Sequence, residues 1–410
     1  MKKYKYIIGL FFLLVSSMLS AQQKLDSYLK VAAENNPGLR VKFNEYMAAL
    51  AVAPQVRSLP DPSLAFGYFI SPVETRVGPQ QFKISASQMF PWFGTLEAKE
   101  NVANQLALAK YEAFEESKSK LFHEVRANYF NIYFNNKAID ITIENIEILN
   151  VFRKLANIKF ESGLVSALDV YRIEIEIGEL ENQLALIRDK KQVLEAMFSN
   201  LLNAHSIESI TTPDLLWEDG LPLSKQAAID SINQQNHQLL SLDFQQLALQ
   251  FKKEVASDMG KPSFRIGLDY TVVGKGVNNL AGTDAFMFPS IGLTVPLYRN
   301  KYKAYVQEVV YLEAAKEYEK TEKTDILETL FENGWKDYLD ANRRISLNIS
   351  QLNLARKSVK LLETDYTTGN INFEEILRME RKVLKFNLEL EKARSDKQAA
   401  ISFINYLMGK

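Results

Sequence analysis

The chain is a duplication whose two copies keep almost the same spacing. Asn36 matches Asn236, and Pro62-Ser63-Leu64-Ala65-Phe66-Gly67 matches Pro262-Ser263-Phe264-Arg265-Ile266-Gly267, both at an offset of 200. Pro91 matches Pro296 at an offset of 205, and Ser162-Gly163-Leu164-Val165 matches Thr368-Gly369-Asn370-Ile371 at 206. A drift of only six positions, most of it between the strands, marks internal repetition. Whatever fold one copy adopts, the other shares. The repeats read as residues 22–206 and 207–410, behind a segment 1–21 of different character.

Within each copy a proline-free run of about 65 to 70 residues leads into the glycine, and about 38 more lead out of it. In the first copy apolar residues fall at Leu106, Ala109, Ala113, Leu121, Val125, Tyr129, Ile132, Ile139, Ile143 and Ile146, at helical steps. The spacing predicts long helices over 95–161 and 299–366, each about 100 Å at 1.5 Å per residue. Gly163 and Gly369 suit a left-handed C-cap that turns the chain back. Ser166 and Asn372 then offer N-caps, with Asp169 and Glu375 three residues on as in a capping box. Return helices over 166–203 and 372–408 follow, and a linker over 204–223 joins the copies. Before the strands stand a helix at 25–34 and a second running from Pro37 to Arg57, with proline suited to a first helical turn.

Two strands precede each long helix. Leu64, Phe66, Tyr68 and Ile70 alternate over 63–70, and Phe82, Ile84, Ala86, Gln88 and Phe90 over 82–90, separated by a polar loop at 71–79. The second copy repeats this over 264–273 and 286–295. Phe264, Ile266, Leu268, Tyr270 and Val272 form one face, and Arg265, Gly267, Asp269 and Thr271 the other.

Residues 1–21 read as a secretory signal: Lys2, Lys3 and Lys5, then an apolar run from Ile7 to Val15, then small residues ending at Ala21. The alternative is a short buried N-terminal helix. The net charge of −1, or −4 once those three lysines are removed, carries no basic excess for nucleic acid. The absence of cysteine excludes disulfides, thiolate metal sites and a sulfur-linked lipid anchor. His123, His205 and His237 lack ligand spacing, the methionines are scattered, and no catalytic or phosphate-binding motif is visible. Neither a metal site, a cofactor nor an enzyme is expected. No run beyond the leader reaches the length of a membrane-spanning helix, so a membrane would be crossed by strands. Four strands are too few to close a barrel, and the apolar stripes of the long helices also need partners. Both point to several copies.

The strand pairs ahead of long helices, the paired Gly-x-x-x-x-x-[Asp/Glu]-[Val/Ile] tips and the Pro-x-Pro-Ser lead-in together resemble the TolC family of outer-membrane efflux channels. The resemblance covers residues 25–409. It implies a mainly α fold with a membrane β-barrel, in which a homotrimer forms a 12-stranded outer-membrane barrel on a long periplasmic α-helical barrel. It also implies that each short helix before the strands stacks end to end on a return helix. The function implied is a passive exit duct in outer membrane lipid. Such a duct docks to a periplasmic adaptor (membrane fusion) protein and an inner-membrane RND-type pump, and would pass metal cations or small toxic molecules. Gly78-Pro79 with Gln88-Met89-Phe90-Pro91-Trp92-Phe93-Gly94 is most similar to the heavy-metal (Czc/Cus-type) branch, although the chain lacks that branch's lipid-anchor cysteine. Drug efflux, a type I protein-secretion duct and, outside the family, an exported coiled-coil scaffold remain as alternatives.

By the same resemblance Asp169 and Glu375 would ring a pore constriction, while their N3 position serves equally as a cap. Arg172 and Arg378, at i, i+3, would pair with these acids and blunt the ring. Gly163, Leu164 and Val165, with Gly369, Asn370 and Ile371, would form the adaptor-docking tip. Trp92, Phe93 and Tyr298 follow the strands and fit the membrane interface, or ordinary packing at the junction of strands and helices.

Overall fold

The computed structural model describes residues 23–204, 210–218, 220–276, 282–367 and 373–410. The leader 1–21, Gly369, Asn370, Ile371, the N-cap Asn372 and His205 lie outside the described residues. The first copy runs α1 (23–35), α2 (Pro37–Leu50), α3 (Val52–Arg57), β1 (Ser63–Thr75), β2 (Gly78–Phe90), α4 (Thr95–Glu161) and α5 (Ala167–Leu202). The second runs α6 (Lys225–Gln235), α7 (His237–Asp258), β3 (Ser263–Val273), β4 (Ala285–Thr294), α8 (Arg299–Thr367) and α9 (Phe373–Leu407). The expected single helix over 37–57 is broken at Ala51. Pro54 has no N–H to bond the Leu50 carbonyl, so the first helix stops and a second starts with proline in its opening turn. No described helix is long and apolar enough to cross a membrane.

The chain packs as two compact units, each drawing on both copies. One comprises Lys42–Phe114 and His237–Thr324. Its four strands form one antiparallel sheet in the order β1-β2-β3-β4. Register decides what each face carries, because cross-strand partners share a face. Phe66 opposes Ile84, and Ile84 opposes Tyr270, which opposes Phe286. One face is therefore apolar across all four strands, and it is uncovered: Phe66 is 74% and Ile70 92% exposed. The opposite face gathers Ser85, which donates to Asp269, and Lys83, whose Nζ lies 2.9 Å from the same carboxylate. The polar loop expected at 71–79 is mostly strand. β1 continues through Pro72 to Thr75 past a register shift between Tyr68 and Val73. The proline is tolerated because β1 is an edge strand and its missing N–H breaks no ladder on the open side.

The other unit comprises the described residues up to Val41, then Glu115–Asn236 and Asp325–Lys410. Along α4 the buried seam follows Leu121, Val125, Tyr129 and Ile132 as the stripe predicts. Beyond that it shifts to Asn135, Ala138, Thr142, Asn145, Leu149, Phe152 and Ala156, a strict 3,4 alternation. Ile139, Ile143 and Ile146 are only half-buried, and Leu106 in the sheet-bearing unit is exposed. Two polar members of the seam have hydrogen-bond partners: Asn135 Nδ2 donates across to Ile187 O of α5 at 3.1 Å, and Thr142 Oγ1 to Ala138 O of its own helix at 2.7 Å.

The end-to-end joints implied by the resemblance are present, and one asparagine makes each. Asn36 Nδ2 donates to Leu201 O near the end of α5 at 3.0 Å, and its Oδ1 accepts from Leu39 N at 3.1 Å as an N-cap of α2. Asn236 Nδ2 donates to Leu407 O, the last residue of α9, at 2.9 Å. Each thus satisfies a carbonyl that a helix end leaves unpaired. Both return helices close with the same left-handed turn, at Asn203 and at Gly409.

Glu380 on α9 is 5% exposed and lines a cavity of about 160 Å³ together with Glu144 of α4 and Arg356 of α8, with no ion-pair partner among the described residues. Burial, helped by Glu363 of α8, pushes its pKa up to about 7. The unfolded chain releases this proton near pH 4.5, whereas the folded chain holds it to about 7. Stability therefore falls as pH climbs through that window and stays reduced above it. Replacing Glu380 by Gln should stabilise the protein above pH 7 by about 3 kcal/mol and flatten the slope between pH 4.5 and 7. Thermal unfolding at pH 5 and pH 8 measures this; an equal shift at both pH values would show that the carboxyl titrates normally.

Candidate functional site

The site is the end of the helical unit where α4 turns into α5 and α8 ends beside α9. Helix α4 stops in a Schellman turn. Leu164 N donates to Lys159 O at 2.8 Å and Gly163 N to Phe160 O at 2.9 Å, with Gly163 at φ 70°. A side chain there would force a left-handed residue, which glycine adopts at no steric cost. Ser166 then caps α5, its Oγ accepting from Leu168 N at 3.2 Å. The reciprocal arm of the expected capping box is absent: Asp169 turns to Arg172 at 3.7 Å, not to the Ser166 amide.

The anticipated i, i+3 pairs both form. Asp169 pairs with Arg172, and Glu375 with Arg378. The two acids differ in setting. Asp169 is 9% exposed, and burial raises its pKa against the pull of Arg172, with Glu374 adding to the rise. Glu375 keeps 43% of its side chain exposed. Three cross-hairpin contacts were not legible as such. Arg172 Nε lies 3.5 Å from Glu374, Arg381 Nη2 2.6 Å from Glu176, and Lys159 Nζ donates to Tyr366 O at 2.6 Å while lying 3.9 Å from that ring's centroid. Their partners lie 202 to 207 positions apart, close to the repeat offset, so for the two ion pairs opposite charges at nearby positions of the two copies were the available signal. Beneath them Phe152, Ile173, Tyr366, Phe373 and Ile376 form a core, with Phe152 and Phe373 rings 5.5 Å apart. At the turn Leu164 is 73% exposed, whereas Val165 packs on this core.

In the sheet-bearing unit Trp92 stacks on Phe264 at 6.1 Å with Lys261 Nζ 5.7 Å from its centroid, and Phe93 and Tyr298 are exposed. Among the described residues no group of three or more histidines and acids is placed to hold a metal ion.

With this geometry in view, comparison with known proteins is direct. Residues 28–204 match the family model of the outer membrane efflux protein. The matched stretch lies within the first repeat. The outer membrane efflux protein fold extends over both repeats. VceC, an outer membrane protein of Vibrio cholerae, superimposes with a TM-score of 0.78 at 14% identity, over 96% of this chain and 98% of its own. CusC gives 0.77 at 16% identity over 94% and 92%, and the CmeC outer membrane channel of Campylobacter jejuni 0.74 at 12% over 94% and 85%. No curated protein gives a significant match in sequence. The resemblance read from the repeated tips is thus borne out, and so are the tandem elements of the outer membrane efflux protein fold.

Proposed function

We propose that three copies of this chain form a passive outer-membrane exit duct. Their sheets would join into a 12-stranded barrel and their helical hairpins into a periplasmic tunnel. The observation that carries this is the sheet itself: two open edges, β1 and β4, flank a face that is apolar across four strands, opposite a face holding Lys83, Ser85 and Asp269. Open edges leave backbone groups unpaired in lipid, and closure with further copies removes them. On α8 the exposed Leu347, Leu354 and Leu361 repeat every seven residues and ask for a helix from a neighbour. An exported scaffold has no use for such a sheet. Detergent extraction from outer membranes should yield a heat-modifiable trimer that conducts ions in a planar bilayer; a soluble, non-conducting monomer would rule the duct out.

The duct receives cargo from an inner-membrane RND-type pump through a periplasmic adaptor protein. The adaptor docks on the turn Gly163-Leu164-Val165 and its counterpart Gly369-Asn370-Ile371, and exposed Leu164 is the strongest contact. The cargo is metal cations or other small toxic molecules, a reading supported by the segment from Gly78 to Gly94. Trp92, Phe93 and Tyr298 anchor the barrel at the periplasmic interface. Asp169 and Glu375 line the mouth, each partly neutralised by its arginine, so the mouth prefers cations only weakly. Asp169→Asn with Glu375→Gln should move the reversal potential toward zero selectivity, and Arg172→Gln with Arg378→Gln should raise cation preference. Reversal potentials unchanged in both double variants would leave these acids as helix caps alone.

A further inference from the structure

A second, partly open cavity of the helical unit, about 260 Å³, is lined by residues of α1, α4 and α9 together with Trp217, Gly220 and Pro222. It holds a cation that no described residue pairs with. Arg126 lines it, half-buried, with no hydrogen bond or ion pair to any described residue; its guanidinium carbon lies 6.0 Å from the centroid of the Phe122 ring. Asp26, also at the wall, opposes the charge only from beyond ion-pair distance. A half-buried guanidinium ordinarily meets a carboxylate in a forked pair, and here that place is open to the cavity.

The rest of the wall defines what would fill it. Phe130, Trp217 and Ile401 supply an apolar side. Gln398 and Asn405 supply neutral polar groups. The wall is braced: Gln398 Nε2 donates to Trp217 O at 2.8 Å, Ser402 shares a hydrogen bond with His123 Nδ1 at 3.2 Å, and the Phe130 and Trp217 rings lie 5.8 Å apart. Burial, with Arg126 nearby, holds the His123 pKa down to about 4, so it adds no second positive charge at neutral pH. One cation, an acid at the margin and an apolar wall favour a monoanion over a phosphate or a polyanion.

We propose that this cavity binds a small monocarboxylate bearing an apolar group, with the carboxylate on Arg126 and the apolar group against Trp217 and Ile401. The site is independent of the duct reading, since it uses residues of a single helical unit away from the tips. Calorimetric titration of the detergent-solubilised full-length protein with benzoate, benzyl alcohol and benzylamine tests it. Benzoate should bind at one site per chain, at least about tenfold more tightly than the alcohol or the amine, because a charge-assisted pair is worth that factor or more. Arg126→Gln should weaken benzoate by at least about tenfold. Ile401→Trp, which fills the cavity and keeps the guanidinium, should abolish binding while the melting curve stays cooperative. Absence of benzoate binding, equal binding of benzyl alcohol, or benzoate affinity unchanged in folded Arg126→Gln would each overturn the proposal. If Arg126→Gln does not fold, the preference for benzoate over the alcohol and its loss in Ile401→Trp decide it.

Discussion

Asn236→Asp should destabilise the protein by about 3 kcal/mol, although the two side chains are nearly the same size. Asn236 is 1% exposed, and its Nδ2 donates to Leu407 O at 2.9 Å. The carboxylate has no proton to give and would sit buried against a carbonyl oxygen at the negative end of α9. Asn36→Asp is the internal control. That position is half-buried, so water reaches the carboxylate. Its cost should be about 1 kcal/mol. Unfolding midpoints of the two variants and of wild type in detergent measure the difference. Equal losses at the two positions would mean that the joints are held by packing and not by the amides.

The second large effect belongs to the sheet. Phe66→Lys places an ammonium in the middle of the apolar face, which should cost about 2 to 4 kcal/mol if that face meets lipid. Ala65→Lys places the same group one residue away on the face shared with Ser85, Lys83 and Asp269, where it should be tolerated. Outer-membrane fractions should hold little heat-modifiable oligomer of Phe66→Lys and near wild-type amounts of Ala65→Lys. Were Phe66→Lys to assemble as well as Ala65→Lys, the apolar face would not be a lipid face.

Long elements were legible because their signals accumulate. Sixty-seven residues without proline, bounded by Pro91 and by Gly163, could only be one helix, and α4 spans Thr95–Glu161. The alternation of Phe264 to Val272 fixed which residues share a face. Other features were hidden for identifiable reasons. Pro72 signals a loop locally, and only the position of β1 at an edge permits strand there. The seam of α4 passes through Asn135, Thr142 and Asn145, so a search for apolar periodicity followed Ile139, Ile143 and Ile146 instead. Asn36 and Asn236 stood out as repeat markers, yet their partners lie 165 and 171 residues away, beyond any local pattern. At the tips the i, i+3 pairs were readable within each copy. Arg172 to Glu374 and Arg381 to Glu176 required the two copies to lie side by side.

The way each unit borrows from both copies also governs when the chain can fold. The helical unit needs Glu115–Asn236 and Asp325–Lys410 together, and its last joint closes on Leu407. A chain emerging N-terminus first presents α4 and α5 long before α9 exists to bury Phe152, Ile173 and Ile177. Contacts this distant in sequence make folding slow and leave intermediates prone to aggregation. The duplicated half is thus a unit of ancestry that cannot serve as a unit of folding. Expressed alone, either repeat should collect on holdase chaperones or in inclusion bodies, and the intact chain should acquire protease resistance only after its final helix is released.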